Sequence, residues 1–249
     1  MLKICKNADD LASLAADLIV ESAREAIESR GRFTIALAGG STPEKTYALL
    51  ARPEKQRDVD WSKAYIFFGD ERYVPANDSN SNFAMAQRSL LSKVPIPATQ
   101  IFPVPTVGLS LDEAAAAYAG TLAGCFSTTP RDAAPRFDLI LLGLGDDGHT
   151  ASLFPGKPAV SVADRWVVFS PPGVLPPPVD RITFTFPVLN AARHVMFLIA
   201  GEKKAGILKE VLEGARAPSR YPASGVHPID GTLTWLVDEA AAKNLTHRS

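Results

Sequence analysis

Phe33-Thr-Ile-Ala-Leu37, followed at once by Ala38-Gly39-Gly40-Ser41-Thr42-Pro43, decides how this chain is read. The first five residues form a short strand of the apolar, β-branched kind that is buried on both faces. Two glycines end it. A hydroxyl pair and a proline then open a helix, because proline is tolerated in a first turn, where backbone N–H groups lack partners anyway. Strand, glycine turn and helix start together are the repeating unit of a parallel sheet with crossover helices.

The same punctuation recurs along the chain. Leu11, Leu14, Leu18, Ile19 and Ile27 fall at helical spacing and predict a helix over 9–30. Ala64–Phe68 predicts a strand, with Gly69-Asp70-Glu71-Arg72 as the loop at its end. Further helices are predicted over 81–91, 111–126 and 203–212, and strands over 137–142, 166–169, 182–186 and 194–200. A strand over 232–237 and a helix over 238–244 close the chain. This alternation predicts an α/β fold, a mostly parallel sheet covered by helices on both faces, in a single domain over 1–249. Pro171-Pro172 and Pro176-Pro177-Pro178 read as a structured loop over the sheet edge, since strand–helix alternation continues on either side.

Composition narrows the function. Among 249 residues, 26 Lys and Arg oppose 27 Asp and Glu, for a formal net charge of −1. That balance argues against a broad basic face for nucleic acid, so an anionic ligand must be held by a local cluster. Cys5 and Cys125 form neither a disulfide framework nor a metal-ligand spacing, which fits a reducing compartment. No apolar run reaches the roughly 20 residues that cross a bilayer. Asp9, Asp10, Asp17 and Glu21 in the first helical pattern argue against a targeting peptide. The expectation is a cytoplasmic protein acting on a small molecule, without nucleic-acid or membrane partners, and a monomer or weak homo-oligomer.

Three loops at strand ends carry chemistry, where ligands of such sheets bind. Gly39 and Gly40 allow backbone amides to approach an anion, with Ser41 and Thr42 at the following helix N-terminus. Asp70, Glu71 and Arg72 offer carboxylates and a guanidinium. The richest is Gly143-Leu-Gly145-Asp-Asp147-Gly148-His149-Thr150. His149 is the one histidine of four in a glycine-rich loop after a strand, a position suited to a general base, with Asp147 two residues before it to hold the ring. The spacing Gly143-x-Gly145-x-x-Gly148 also matches a dinucleotide fingerprint, but Asp146 and Asp147 would face the pyrophosphate. A metal site lacks a second histidine, and a serine nucleophile lacks its elbow motif. Arg181, entering a strand, and Lys204, in a first helical turn where it opposes the helix dipole, complete a candidate anion clamp.

Seven blocks in order resemble the 6-phosphogluconolactonase family: Gly39–Pro43, Asp70-Glu-Arg72 with Val74-Pro75, Gly143–Pro155, Arg181-Ile-Thr, Pro187–Ala191, Gly201-Glu-x-Lys204-Ala, and Trp235–Asp238 with Ala240-Ala241. The resemblance spans about 33–243 and implies a Rossmann-like three-layer α/β/α fold with no metal or organic cofactor. It implies hydrolysis of a phosphosugar lactone, 6-phospho-D-glucono-1,5-lactone, by water that His149 activates and Asp147 supports. The phosphate would be held by Arg72, Arg181 and Lys204 with Ser41 and Thr42; the oxyanion donors would be amides of 39–41 or of Gly145–Gly148. Asp70 would bind sugar hydroxyls or position Arg72. Two alternatives stand: a glucosamine-6-phosphate deaminase-like isomerase, and a non-catalytic sugar-phosphate sensor. Deaminase relatives use a glutamate five residues after the histidine, where this chain has Phe154, and tend to carry an aromatic residue where it has Arg72.

Overall fold

The computed structural model describes residues 1–129, 133–174 and 177–247; Pro176 of the proline-rich loop lies outside them. A first strand, β1 (Leu2–Cys5), leads into α1 (Ala8–Arg30). The Asn7 side chain accepts from the N–H groups of Asp9 and Asp10, and Gly31, at φ +76°, closes the other end in the left-handed conformation that glycine adopts freely. Then follow β2 (Phe33–Leu37), α2 (Ser41–Leu50), the single turn α3 (Pro53–Gln56), β3 (Ala64–Phe68), β4 (Asp70–Arg72), α4 (Asn82–Ala86) and α5 (Leu111–Phe126). The second half runs β5 (Leu139–Leu142), β6 (Val167–Ser170), β7 (Arg181–Phe184), α6 (Phe186–Ala191), β8 (His194–Ile199), α7 (Ala205–Glu213) and β9 (Thr232–Asp238).

Six strands form one parallel sheet in the order β1-β9-β8-β5-β2-β3, flanked by helices. From β2 the chain moves outward to β3, whereas β5 continues the other way to β8 and β9. Strand order therefore reverses between β2 and β5, and a crevice opens there at the strands' C-terminal ends. The loops leaving those two strands are Ala38–Gly40 and Gly143–His149.

The expectation of one sheet needs correcting. β4, β7 and β6 form a separate three-stranded antiparallel sheet, so 70–72 is strand rather than loop and the strands near 167 and 182 leave the parallel sheet. The β4–β7 pairing joins residues more than a hundred positions apart, Asp70 to Thr183 and Arg72 to Arg181, which no local pattern announces. Residues 239–244 form turns instead of a helix, and the Asp238 carboxylate at their start accepts from the N–H of Gly201 at 3.0 Å and of Ala241 at 2.7 Å. The predicted segment 81–91 tightens into α4 followed by a wider π-type turn over Gln87–Leu91.

One apolar core runs through both sheets. Phe184 of β7 packs on Phe137, ahead of β5, with ring centroids 5.5 Å apart, and on Tyr118 of α5 at 6.0 Å. Two buried tyrosines meet strand ends in the same way. Tyr47 Oη accepts from Ala38 N–H (3.0 Å) and donates to Ala38 C=O (2.9 Å). Tyr118 Oη accepts from Phe68 N–H (2.8 Å) and donates to Phe68 C=O (3.1 Å). Both peptide groups sit where a strand leaves the ladder, and each would otherwise be buried without a partner. Burial holds both phenols well above the usual tyrosine range, so the hydroxyls stay protonated and able to donate. Tyr47→Phe keeps the ring and orphans the Ala38 peptide; we expect a loss of about 1–3 kcal/mol in denaturant unfolding. An unchanged midpoint would show that the peptide finds another partner.

Candidate active site

Ala38, Gly39 and Gly40 after β2, Gly69 and Asp70 after β3, and 143–146 after β5 surround a cavity of about 240 Å³ at the point where strand order reverses. Arg72, Asn82, His149, Phe154, Arg181 and Lys204 also line it. Of the residues singled out by sequence, Gly39, Gly40, Asp70, Arg72, Gly145, His149, Arg181 and Lys204 meet there, and Asp147 stands behind His149.

His149 Nδ1 lies 2.6 Å from Asp147 Oδ1, and the same oxygen accepts from the His149 N–H at 3.1 Å. A carboxylate against Nδ1 favours the tautomer with its proton there, in which Nε2 is the nitrogen free to accept. Burial would raise the Asp147 carboxyl, but the hydrogen bond and charge of His149 outweigh it and hold it below the ordinary aspartate range. The loop is wound tightly around the ring: a Cβ on Gly145 would fall 2.1 Å from His149 Nδ1, so no larger residue fits there. Phe154 covers the imidazole, with centroids 4.7 Å apart, and is buried. Ala151 sits at φ +46°, an uncommon conformation for a residue with a side chain, at the turn that brings Phe154 back over the ring.

The opposite wall comes from β4 and β7. Side chains two apart on a strand share a face, so Asp70 and Arg72 both reach the cavity while Glu71 points away. Arg72 is directly opposite Arg181 in the antiparallel register. Like charges so placed repel, and their arrangement calls for an anion between or above them. Arg181 is buried, donates from Nη2 to the Pro177 carbonyl at 3.2 Å, and lies 5.6 Å from the Phe154 ring centre. Burial pushes its guanidinium down, Asp70 opposes that, and Arg72 adds to it. The Arg72 Nη1 donates to Asn82 Oδ1 and to Asn80 C=O (3.0 Å), while its Nε is buried with no acceptor among the described residues.

Several expectations shift in detail. Asp70 does not hold Arg72; Asn82 does, and the Asp70 carboxylate instead accepts from Ser152 Oγ at 2.6 Å and Asn82 Nδ2 at 3.3 Å. Lys204 points in but is paired with Asp146. Gly148, at φ +85°, stands outside the lining and packs toward Tyr221. Ser41 and Thr42 open α2 outside the lining as well, with the N–H groups of a helix start that lack intrahelical partners. Gly145 N–H donates to His149 C=O and Gly148 N–H to Gly145 C=O, so those amides serve their own loop.

Sequence reasoning passed over Asn82, Ser152 and the contact role of Phe154. Asn82 leaves one trace: a Cβ on Gly39 would come 1.9 Å from its Oδ1, so the glycine that looks like a turn signal is also the space Asn82 occupies. Among the described residues, no three His, Cys, Asp or Glu side chains are grouped to hold a metal ion.

Comparison with known proteins follows the same lines. Residues 6–235 match the family described as glucosamine-6-phosphate isomerases/6-phosphogluconolactonase. A 6-phosphogluconolactonase of Synechocystis sp. is 44% identical over 221 residues, covering 89% of this chain and 88% of its own. The structure of 6-phosphogluconolactonase from Trypanosoma cruzi superposes with a TM-score of 0.84 at 32% identity, covering 99% of this chain and 97% of that one. A monomeric glucosamine-6-phosphate deaminase superposes at 0.80 with 21% identity over 98% of this chain and 99% of that one, which speaks for shared fold alone. With a family match over residues 6–235 and a relative 44% identical across 89% of its length, the chain belongs to the glucosamine-6-phosphate isomerase/6-phosphogluconolactonase family.

Proposed function

We propose that this protein hydrolyses 6-phospho-D-glucono-1,5-lactone to 6-phosphogluconate, the lactone-opening step of the oxidative pentose phosphate pathway. One observation carries the reading: the His149–Asp147 pair and the in-register arginines Arg72 and Arg181 face one cavity, so a base and an anion clamp act on one small substrate. The phosphate lies against Arg72 and Arg181, with Lys204 within reach once it leaves Asp146. His149 Nε2 takes a proton from water as the hydroxide adds to the lactone carbonyl carbon. The oxyanion that forms is met by amides at the Gly39–Gly40 turn, which lines the cavity, since those of Gly145 and Gly148 are engaged. Collapse of the intermediate breaks the bond to the ring oxygen, which takes the proton from His149. Asp147 keeps the imidazolium stable between the two transfers. Asp70, tied by Ser152 and Asn82, faces the sugar hydroxyls.

The isomerase alternative lacks its carboxylate. Phe154 occupies the position where the resemblance places a glutamate, and it lies over His149 as a plain apolar cover. A sensor would need the clamp but has no use for a histidine locked in one tautomer. Every residue in the scheme comes from one chain, so a monomer or weak homo-oligomer suffices. No helix among the described residues is long and apolar enough to cross a membrane, and Cys5 and Cys125 are free thiols, which supports a cytoplasmic enzyme.

Lactone hydrolysis on freshly generated substrate, followed by acid release with the spontaneous rate subtracted, tests the reading beside an ammonia-release assay on glucosamine 6-phosphate. Fast lactone opening without ammonia is expected; ammonia release would overturn it. Asp147→Asn presents an amide to Nδ1 and allows the wrong tautomer, so kcat should fall about 10²- to 10⁴-fold with KM nearly unchanged. Lys204→Ala should instead raise KM about tenfold and leave kcat within a small factor. Steady-state kinetics separate the two, and a kcat that survives Asp147→Asn would remove the base assignment.

A further inference from the structure

The N-terminal ends of the same strands frame a second polar cavity, of about 370 Å³. Arg30 and Arg32 precede β2, Arg136 lies just ahead of β5, and Arg193 precedes β8, so four guanidiniums converge where three neighbouring strands begin. Among the described residues a single carboxylate, Asp138, stands with them. It is already engaged: Oδ2 accepts from the Thr34 N–H (2.8 Å) and hydroxyl (2.7 Å), and Oδ1 accepts from Arg30 Nε (2.8 Å).

Beyond Arg30, Asp138 reaches only Arg193, as a longer ion pair, and no ion pair to Arg32 or Arg136 is found among the described residues. Arg193 Nε is buried 3.6 Å from Asp138 Oδ1, beyond hydrogen-bond reach, and has no acceptor among the described residues. Arg32 makes no guanidinium hydrogen bond to the described residues and rests instead against the faces of Tyr65 and Phe126 at 5.7 and 5.6 Å. Arg136 donates once, to the Asp230 carbonyl at 2.7 Å. Each guanidinium carries five donors, and most of them here have no hydrogen-bond partner among the described residues. Burial and the neighbouring charges of Arg136 and Arg30 push Arg193 below the ordinary guanidinium range, against the pull of Asp138. Assembling these cations costs free energy that one shared carboxylate does not return in a chain of net charge −1.

We propose that this cavity is a second anion site, one that takes a phosphate group at the end of the sheet opposite the catalytic loops. The recognition chemistry is that of bidentate guanidinium–phosphate pairs, with Arg32 and Arg193 supplying free forks and Arg30 and Arg136 adding charge. A five-residue strand rises about 17 Å, so an anion held here does not touch the substrate of the first cavity. The site is independent of the lactonase reading, because none of its residues enters that chemistry.

Calorimetric titration of the whole chain with pyrophosphate tests it. Wild type is expected to show two binding events, one in each cavity. Arg32→Gln/Arg193→Gln should weaken one of them by about tenfold or more, with kcat and KM for the lactone unchanged, whereas Arg181→Gln should remove the other. Should the double variant be poorly folded, Arg193→Lys keeps the charge without the planar fork and should weaken the same event about tenfold. Glycerol 3-phosphate compared with inorganic phosphate then identifies the source: tighter binding of the ester assigns the site to organic phosphates, equal binding to free phosphate. Two unaltered events in the double variant and in Arg193→Lys, or a single wild-type event that Arg181→Gln abolishes, would overturn the proposal.

Discussion

Glu71 is a buried carboxylate that accepts four hydrogen bonds, and one wall of the catalytic cavity is built on it. Its Oε1 takes the N–H groups of Arg72 and Asn82, both at 2.7 Å; Oε2 takes Ser81 Oγ at 3.0 Å and Phe83 N–H at 2.8 Å. Burial pushes this carboxyl above its usual range, with the backbone donors pulling the other way. A charge in this position has to be fully bonded, and satisfying it ties β4 to the start of α4. Asn82 is fixed by that tie. Through its amide it holds Arg72 on one side and Asp70 on the other, and Gly39 is bare so that Asn82 can stand where it does. The cavity-lining residues Asp70, Arg72 and Asn82 are therefore arranged by one that does not line it.

The other wall follows a different principle. His149 is held by local chain geometry: a carboxylate two residues before it, a glycine with no room for a side chain, and a turn through Ala151 that folds Phe154 back over the ring. Such preorganisation keeps the imidazole in one orientation and one tautomer before any substrate arrives. The cavity thus joins a locally specified imidazole to a pair of arginines specified by long-range strand pairing. Tyr47 and Tyr118 hold the ends of β2 and β3, from which the Gly39–Gly40 turn and the β4 wall begin.

This division also explains what could be read from the sequence. The helix over 8–30, the strands β2, β3, β5, β8 and β9, and the glycine-rich loops were legible because each rests on neighbours in the chain, a hydrophobic period or a turn residue. His149 and Asp147 were legible for the same reason. The strand character of 70–72 was hidden because its partner lies more than a hundred residues away, and with it the opposition of Arg72 and Arg181. Lys204 was recognisable as a cation in an awkward place, yet its pairing with Asp146 depends on two loops meeting at the sheet's end. Gly148 carried the look of a ligand loop, but its positive φ serves packing toward Tyr221.

The Lys204–Asp146 pair has a consequence for the speed of the cycle. In the proposed scheme this lysine gives up its carboxylate partner when a phosphate arrives, so binding is an exchange of one ion pair for another. Exchange yields less net affinity than capture by a bare cation would, for substrate and product alike. It also means that Asp146 competes for Lys204 at the moment the ring has opened and the product, still carrying its phosphate, must depart. In that scheme a clamp that loosens itself shortens the residence time of the product.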